Sequence, residues 1–267
     1  MTVNKIRFTA LLLCIVLIMC GLTSCGLAGS GIESEADLVN KKIGVVEGSK
    51  SDTYAQKYVE KGCEIIKYNS RIDMIKAFDA NEIDCAVVDK NHADVLAREY
   101  DTLEVLPDVL GEDSFAFYML ESKRVYTIML NKALAALKEN GTVDEIVNGY
   151  LSDPEYEYEF ASEHDTSNGT FNISLDPSMY PYVYAADEEH PMPRGIAIAL
   201  VDAICEYLGC GYTFMPVTTL SLNSTLYLGT ADFSIGTFTP LTAEASGMAI
   251  VESDPIMTYS HAIVVKK

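Results

Sequence analysis

Residues 131–151, NKALAALKENGTVDEIVNGYL, predict two consecutive amphipathic helices. Leucines at helical spacing give the first helix one apolar face, and Gly141 is expected to end it, because glycine readily adopts the left-handed conformation of a helix C-terminus. Thr142 and Glu145 have the spacing of a capping box, which predicts that the second helix begins there. Two helices with one apolar face each need a further layer to cover, so this stretch predicts a sheet beside them.

Strand-like and helical runs alternate on both sides of that stretch. The predicted strands are 43–46, 64–68, 85–88, 114–120, 171–175, 212–215, 232–235 and 256–265, and the other predicted helices are 52–61, 71–80, 91–100 and 195–208. The alternation stops only at 155–169, which is acidic and has no helical or strand period. This organisation predicts an α/β fold with a mostly parallel sheet covered by helices on both faces.

The N-terminus has the pattern of an export signal. Lys5 and Arg7 precede an apolar run at 8–20, which is shorter than the roughly 20 residues that a membrane-spanning helix needs. The sequence Leu-Thr-Ser-Cys ending at Cys25 resembles a bacterial lipoprotein processing site, with ordinary cleavage nearby as the alternative. We therefore expect 1–24 to be removed and Cys25 to carry lipid. The mature protein would be anchored at the extracellular face of a bacterial cell membrane.

Composition excludes some partners and cofactors. The chain has 19 basic and 39 acidic side chains, a formal net charge of −20, so we expect no nucleic-acid partner. Cys63, Cys85, Cys205 and Cys210 lack the spacing of a disulfide framework or a metal site, and we expect buried free thiols, with a Cys205–Cys210 disulfide as the alternative. The four histidines are scattered. We therefore expect no metal and no cofactor.

Several longer blocks resemble a known family in a rotated order. KKIGVVEGSKSDTYAQKY, IDCAVVDKNHADVLA, FAFYMLESKR and the 131–151 stretch resemble the later part of the amino-acid-type extracellular solute-binding proteins of ABC transporters, bacterial family 3. NISLDPSMYPYVYA, RGIAIALVDAICEYLGCGYTFMPV, GTADFSIGTFTP and SDPIMTYSHAIVVKK are similar to that family's beginning, although here they follow the first group. The resemblance covers nearly the whole mature chain.

The rotated order implies a circular permutation of a two-lobed α/β fold, like that of periplasmic binding proteins, with a ligand cleft between the lobes. Permutation is tolerated where chain ends are close and exposed. We predict a tether at 25–35, lobe 2 at 36–111 and lobe 1 at 112–267. Within lobe 1, 152–170 would be the linker that joins the family's old ends. The chain would then cross between the lobes only once, near 113–117.

The resemblance also implies which residues contact a ligand. They lie where predicted strands end, since loops and helix N-termini converge there in open α/β folds. The predicted ligand-binding residues are Gly48, Ser49, Lys50, Ser51, Asp89, Asp176, Tyr180, Tyr182, Gly236, Thr237 and Thr239. Asp89 matches the acid that receives a ligand ammonium group, and it could also cap the helix that follows. Tyr180 matches an aromatic ring that stacks on the ligand, with ordinary packing as the alternative.

Two turns are expected to meet the acidic group of a ligand. Gly236, Thr237 and Thr239 match a loop whose amides and hydroxyls contact a carboxylate. The turn at 48–51 joins a strand to a helix and can offer backbone N–H groups to an anion. Lys50 in that turn could also swing towards the cleft and contact a carboxylate.

One expected residue of the family pattern is missing. The family's carboxylate-clamping arginine should lie five residues beyond Thr239, where this chain has Glu244 followed by Ala245. Neither Lys nor Arg occurs anywhere in 195–265. With Asp89 present and the arginine absent, the fixed charges of the cleft would be mostly negative. We therefore expect a cationic or zwitterionic ligand with a dominant amine.

The resemblance implies a monomeric, lipid-anchored binding protein that captures a small amine-bearing, amino-acid-like solute and delivers it to the permease of an ABC importer. It would work by closure of the lobes. A sensory or regulatory lipoprotein with a weak or empty cleft is the first alternative, and the missing arginine favours it. A periplasmic dehydratase on the same fold is a weaker alternative, because it needs a general acid beside a cationic clamp. We therefore expect no enzymatic activity.

Overall fold

The computed structural model describes residues 31–188, 192–242 and 248–267, so the predicted signal peptide and Cys25 lie outside the described residues. The strands are β1 (Lys42–Val46), β2 (Glu64–Tyr68), β3 (Cys85–Asp89), β4 (Leu103–Val105), β5 (Glu112–Leu120), β6 (Thr170–Leu175), β7 (Gly211–Pro216), β8 (Phe233–Gly236), β9 (Ile250–Glu252) and β10 (Met257–Lys266). The α-helices are α1 (Lys50–Ala55), α2 (Arg71–Asp79), α3 (Lys90–Glu99), α4 (Arg124–Glu139), α5 (Thr142–Ser152), α6 (Ile196–Leu208) and α7 (Leu222–Tyr227). Within the described ranges, no helix is long and apolar enough to span a membrane.

The strands form one mixed sheet. Its order is β2-β1-β3-β10-β5-β8-β6-β7, with β4 beside β10 and β9 beside β5. Pairing is parallel between β1 and its neighbours β2 and β3, and between β6 and its neighbours β7 and β8. The central strands β5 and β10 are antiparallel to each other and to the strands beside them. The expected parallel arrangement is thus present at both ends of the sheet, and two antiparallel strands connect them.

The half of the sheet that contains β1, β2 and β3 has a hydrophobic core on each face. Side chains alternate along a strand, so Val45 faces the core that contains Tyr58, while Val46 faces the core that contains Phe78 and Leu96. The 3-10 helix Gln56–Lys61, which continues α1, therefore covers one face, and α2 and α3 cover the other.

The other half of the sheet is also covered on both faces. Phe117 of β5 packs with Leu134 and Ile146 from the two helices of the quoted stretch, while the adjacent Tyr118 packs with Leu226 of α7. The two helices therefore cover a sheet, as their apolar faces predicted. With a separate pair of cores in each half, the molecule is a two-lobed α/β protein, which confirms the predicted fold class.

The lobes are connected by two strands. Residues 257–260 of β10 pair with β5, and residues 261–265 pair with β3. Tyr259 accordingly lies in the core of one lobe and Ile263 in the core of the other. The chain crosses at β5 and again within β10, whereas the sequence predicted one crossing and assigned all of 112–267 to lobe 1. A continuous ten-residue strand is long enough to belong to both halves of the sheet. The other predicted boundaries and the circular permutation remain predictions.

The junction between α4 and α5 differs from the predicted one. Gly141 has φ 85° and is the residue that precedes α5, and no side-chain cap is present. Thr142 is already the first helical residue, and its N–H donates to Asn140 Oδ1 at 3.1 Å. Glu145 N donates to the carbonyl of Gly141. The predicted capping box of Thr142 and Glu145 is therefore wrong, because the αL glycine moves the helix start one residue earlier.

The segment between α5 and β6, predicted to be a linker, is fixed to its lobe by one buried carboxylate. Asp202 of α6 accepts hydrogen bonds from Tyr158 OH at 3.3 Å and from Ala161 N at 3.2 Å. It also contacts His164 Nε2 at 2.8 Å and accepts from Tyr212 OH at 2.9 Å. The segment has little regular structure but runs along the lobe surface in a defined path.

The four described cysteines are buried free thiols. Cys205 and Cys210, the alternative disulfide pair, are therefore not joined. Burial raises the pKa of the Cys85 thiol to about 12, so its reactive thiolate is scarce near neutral pH.

Candidate ligand cleft between the lobes

The predicted ligand-binding residues follow the carboxyl ends of β1, β3, β6 and β8. Backbone hydrogen bonds join the lobes there: Lys50 N donates to Thr237 O at 3.0 Å, and Thr239 N donates to Gly48 O at 2.9 Å. Gly48 has φ 78°, and a Cβ atom at this position would lie 3.2 Å from Leu220 Cα. Only glycine readily combines this backbone conformation with so close an approach. The lobes are therefore in direct contact across the cleft.

The turn at 48–51 uses its N–H groups on the protein itself. Gly48 N donates to Asp52 Oδ2 at 3.3 Å, and Ser49 N donates to a backbone carbonyl of the same turn. Ser49 Oγ accepts from Asp52 N at 3.1 Å and so caps α1. With Lys50 N bonded across the cleft, these three N–H groups have protein acceptors. These three groups are therefore engaged while the lobes are in contact, and the anion site expected at this turn remains a prediction.

Asp89 lies at the end of β3 and is 1% exposed. Its Oδ1 accepts from His92 N at 2.9 Å, which confirms that it caps α3, and from Tyr182 OH at 3.2 Å. Its Oδ2 accepts from Arg71 Nη2 at 3.3 Å. Donors from both lobes therefore converge on this carboxylate. Its predicted contact with a ligand amine remains a prediction.

Arg71 supplies an arginine that the sequence did not single out. It is the first residue of α2, it is 3% exposed, and its Nη2 also donates to Thr237 Oγ1 at 3.2 Å. The guanidinium thus reaches from one lobe to the loop of the other lobe that was predicted to meet a carboxylate. Its Nη1 is buried and has no hydrogen-bond partner within the described structure. A buried unpaired N–H is unfavourable, so an acceptor for this atom would be stabilising.

His92 and Tyr180 meet beside this pair. His92 Nδ1 donates to the carbonyl oxygen of Tyr180 at 3.0 Å, and the two rings pack edge to face at 5.3 Å. Burial first, and then the positive charge of Arg71, lower the pKa of His92 to about 4. The Tyr180 ring stacks on Tyr184 at 5.4 Å. Tyr180 therefore has the packing contacts proposed as its alternative role, and ligand stacking remains a prediction.

Two further predicted residues have mainly packing contacts. Tyr182 is fully buried, stacks on Phe115 at 4.4 Å, and accepts from Asn91 Nδ2 at 3.0 Å through its hydroxyl. Gly236 is the last residue of β8, and a Cβ atom there would lie 2.9 Å from Met179 Cε. Tyr182 therefore joins the lobes beside Asp89, whereas Gly236 allows the close approach of Met179 within its own lobe.

Asp176 was predicted to contact the ligand, but its carboxylate is hydrogen-bonded to a loop of its own lobe. Its Oδ1 accepts from Ser178 N at 2.8 Å, and its Oδ2 accepts from Thr219 N at 2.9 Å, both within its own lobe. The hydroxyls of the same two residues also donate to it. These contacts order a loop. The structure does not bring Asp176 into the group around Asp89.

Lys50 and Ser51 belong to a polar row at the hinge, and its other two members, Asp113 and His261, were not predicted. Ser51 Oγ contacts His261 Nδ1 at 2.9 Å, His261 Nε2 contacts Asp113 Oδ2 at 3.0 Å, and Lys50 Nζ donates to Asp113 Oδ1 at 2.8 Å. It joins α1 to β5 and β10, the two strands that connect the lobes. Burial lowers the pKa of His261. The row has the residue types of a hydrolase triad, but the serine is buried, so we assign it a structural role at the hinge.

The charges of the described part of the cleft form pairs. Arg71 pairs with Asp89, and Lys50 pairs with Asp113. For these residues the expectation of mostly negative fixed charge is wrong, because Arg71 of α2, in the same lobe as Asp89, supplies a cation. Glu244 and Ala245, which occupy the family's arginine position, lie outside the described residues.

The chain matches no protein-family model and no curated protein. Among solved structures, it is similar to a ligand-binding component of an ABC-type import system from Staphylococcus aureus with zinc bound (TM-score 0.47, 12% identity, 85% of this chain and 65% of that chain). It is also similar to the periplasmic domain of BvgS from B. pertussis, with a TM-score of 0.42 and 13% identity over 87% of this chain and 38% of that chain. A third similar structure is immunogenic lipoprotein A from Vibrio vulnificus, with a TM-score of 0.41 and 14% identity over 84% of this chain and 86% of that chain. The chain thus spans less than two thirds of the first two proteins. At these identities the likeness concerns the fold alone.

Proposed function

We propose that this chain is a lipid-anchored extracytoplasmic binding protein whose cleft captures a small amine-bearing, amino-acid-like solute for an ABC importer, and that it is not an enzyme. The supporting observation is the buried group formed by Asp89, Arg71 and Thr237, which joins the lobes with one carboxylate, one guanidinium and one hydroxyl. A binding site at a lobe boundary allows a solute to favour the closed form.

The chemistry of this group fits a zwitterionic head group. A ligand ammonium would donate to Asp89 Oδ2, and a ligand carboxylate would accept from the unpartnered Nη1 of Arg71 and from the Thr237 hydroxyl. Hydrogen bonds between ionised groups are stronger than neutral ones, and planar guanidinium suits a carboxylate. A second acidic group on the ligand would find no further cation in this group. We therefore expect neutral or basic amino acids to bind in preference to acidic ones.

Calorimetry on the mature chain would test this function. We would titrate arginine, lysine, glutamine, glutamate and a polyamine into the wild type, Asp89→Asn and Arg71→Met. We expect at least one amine-bearing solute to bind, and each substitution to weaken it by about 100-fold, because each leaves its charged partner buried and unpaired. Arg124→Met, an exposed arginine change on α4, is the matched control and should leave affinity unchanged. Tight glutamate binding, or unaltered affinity in Asp89→Asn, would contradict the proposal.

A regulatory lipoprotein without a solute is the second candidate, and the same ion pair favours it. Arg71 already donates a hydrogen bond to the Asp89 carboxylate that would receive a ligand amine. Backbone hydrogen bonds also join the two lobes directly. In this case the wild type should bind none of the solutes. Arg71→Ala would then open the position beside Asp89, and added guanidinium ion should bind there and raise the unfolding temperature of the variant alone. Guanidinium effects equal in variant and wild type would count against this candidate.

A further inference from the structure

A cavity between the lobes has a lining that includes none of the residues of the Asp89 group. It has a volume of about 480 Å³. One lobe contributes the end of α3, and the other contributes the end of α5, the segment after it and the turn around Tyr184. The lining residues are Arg98, Glu99, Tyr150, Asp153, Pro154, Glu155, Tyr156, Glu157, Tyr184 and Arg194. Because both lobes supply walls, the cavity is complete only while the lobes are in contact.

Three tyrosines form the aromatic part of this wall. Tyr150 and Tyr156 pack edge to face with ring centroids 5.1 Å apart, and Tyr150 and Tyr184 are near parallel at 6.3 Å. Tyr156 lies directly on the backbone of α5, since a Cβ atom at Gly149 would be 2.6 Å from its ring. A glycine inside a helix is unfavourable by itself, so its presence here accommodates the ring. Gly149 and Tyr156 together therefore place the Tyr156 ring in this wall.

The charges around the cavity are mostly negative. Four carboxylates line it, those of Glu99, Asp153, Glu155 and Glu157, against the guanidinium groups of two arginines. Arg194 also lies 5.7 Å from the centroid of the Tyr184 ring and 3.7 Å from Asp187, an acid outside the lining. The faces of tyrosine rings carry partial negative charge and attract cations. Acidic side chains and ring faces together favour a positively charged occupant with apolar groups.

We propose that this cavity binds a small alkylated organic cation of the quaternary ammonium type. The volume is within the usual range for small-molecule sites, and alkyl groups on nitrogen would pack on the rings while the charge is balanced by the carboxylates. The Asp89 group is a poor site for such a cation. Asp89 accepts hydrogen bonds from Arg71, His92 and Tyr182, and a quaternary nitrogen has no N–H with which to replace such a donor.

Choline and its uncharged carbon isostere, in which carbon replaces the quaternary nitrogen, test the role of charge. Each would be titrated by calorimetry into the mature chain at constant ionic strength. We expect choline to bind at least about tenfold more tightly than the isostere, because only the cation is attracted by ring faces and carboxylates. Equal affinity for both compounds, or no choline binding at all, would overturn the proposal.

Substitutions in the wall then locate the site. Tyr156→Phe keeps the ring and should keep choline affinity, whereas Tyr156→Leu keeps bulk without a ring face and should weaken binding about tenfold. Glu155→Gln should weaken it about fivefold, and Glu159→Gln, an exposed change on the same segment outside the lining, should not. Equal effects of the two glutamate changes, or of the two tyrosine changes, would contradict the assignment.

The Asp89→Asn variant separates this site from the cleft. Choline affinity should stay within about twofold of the wild type in this variant, even where amino-acid binding is lost. A loss of choline binding in Asp89→Asn as large as that in Tyr156→Leu would place the cation in the cleft and overturn the proposal. Choline binding in a protein that binds no amino acid would support this site while contradicting the proposed solute.

Discussion

At the scale of single residues, burial controls the protonation of the histidines near the cleft. His92 is fully buried between the lobes, with Nδ1 bonded to Tyr180 and Nε2 without a partner in the described structure. A proton on Nε2 would place a second positive charge near Arg71. These conditions explain why the pKa of His92 falls to about 4.

This depressed pKa predicts acid sensitivity. Unfolded histidine titrates at about 6.5, so between about pH 6.5 and about pH 4 the unfolded state binds more protons than the folded state. The contribution of His92 to the free energy of unfolding should be fully present above this window. It should fall by about 2 kcal/mol between about pH 7 and about pH 5. His261, whose pKa is also lowered, acts in the same direction. Denaturant unfolding at both pH values measures the loss, and His92→Gln should reduce it. An equally steep pH dependence in His92→Gln would contradict this explanation.

The sequence predicted one partner of the buried ion pair and missed the other. Asp89 ends an apolar strand and precedes a helix, so its position at the sheet edge follows from local pattern. Arg71 follows a serine at a helix start, where arginines are ordinarily exposed. Its burial depends on contact with Thr237 of the other lobe, which no local pattern encodes. Likewise, Asp176 was predicted in the cleft because its bonds to the adjacent loop were not visible in the sequence.

At the scale of elements, the segment between α5 and β6 depends on Asp202. We predict that Asp202→Asn lowers the free energy of unfolding by about 3 kcal/mol, because a buried carboxylate with several donors is replaced by an amide that cannot accept all of them. Urea unfolding of the mature chain measures this change. Glu163→Gln, an exposed change on the same segment, should be within about 0.5 kcal/mol of the wild type. Equal stability of both variants would show that the segment is not held by Asp202.

Most strands and helices were predictable from periodicity, and three short elements were not. The predicted strand at 64–68 coincides with β2, and most other bounds differ by one or two residues. No pattern in the sequence predicted β4, α7 or β9, which have three to six residues each. Such short segments have little intrinsic stability and form through tertiary contacts. In α7 these contacts are made by the buried Leu222 and Leu226.

At the scale of the whole molecule, the anchor is a separate prediction about residues outside the described ones. We predict that Cys25 carries lipid, because the apolar run before it is too short to span a membrane and ends in a lipoprotein-like processing site. Metabolic labelling with a fatty acid should tag the wild type, and Cys25→Ser should remove the tag. Cys20→Ser is the matched control and should keep it. Label that persists in Cys25→Ser would show that the anchor is elsewhere or absent.

The positions of the described chain ends support the proposal of a circular permutation. Ile43 at the start of β1 and Val265 at the end of β10 both pair with Cys85, on opposite sides of β3. Since neighbouring strands are about 4.8 Å apart, these two backbones are about 10 Å apart near one end of the three strands. Lys267 N also donates to Thr102 O at 3.0 Å, which fixes Lys267 beside the start of β4.

We therefore predict that the chain can be opened elsewhere and rejoined here. A variant would link Lys267 to Gly31 through a short glycine-serine segment and begin at Asn168, in the exposed turn after His164, so that the contacts of Asp202 are kept. Its thermal midpoint should be within a few degrees of that of the unpermuted mature chain, because the core and both hinge strands are unchanged. Opening the chain inside α4, between Ala135 and Ala136, is the control and should prevent folding. If the first variant fails to fold as completely as the control, the ends are not interchangeable and the permutation proposal is wrong.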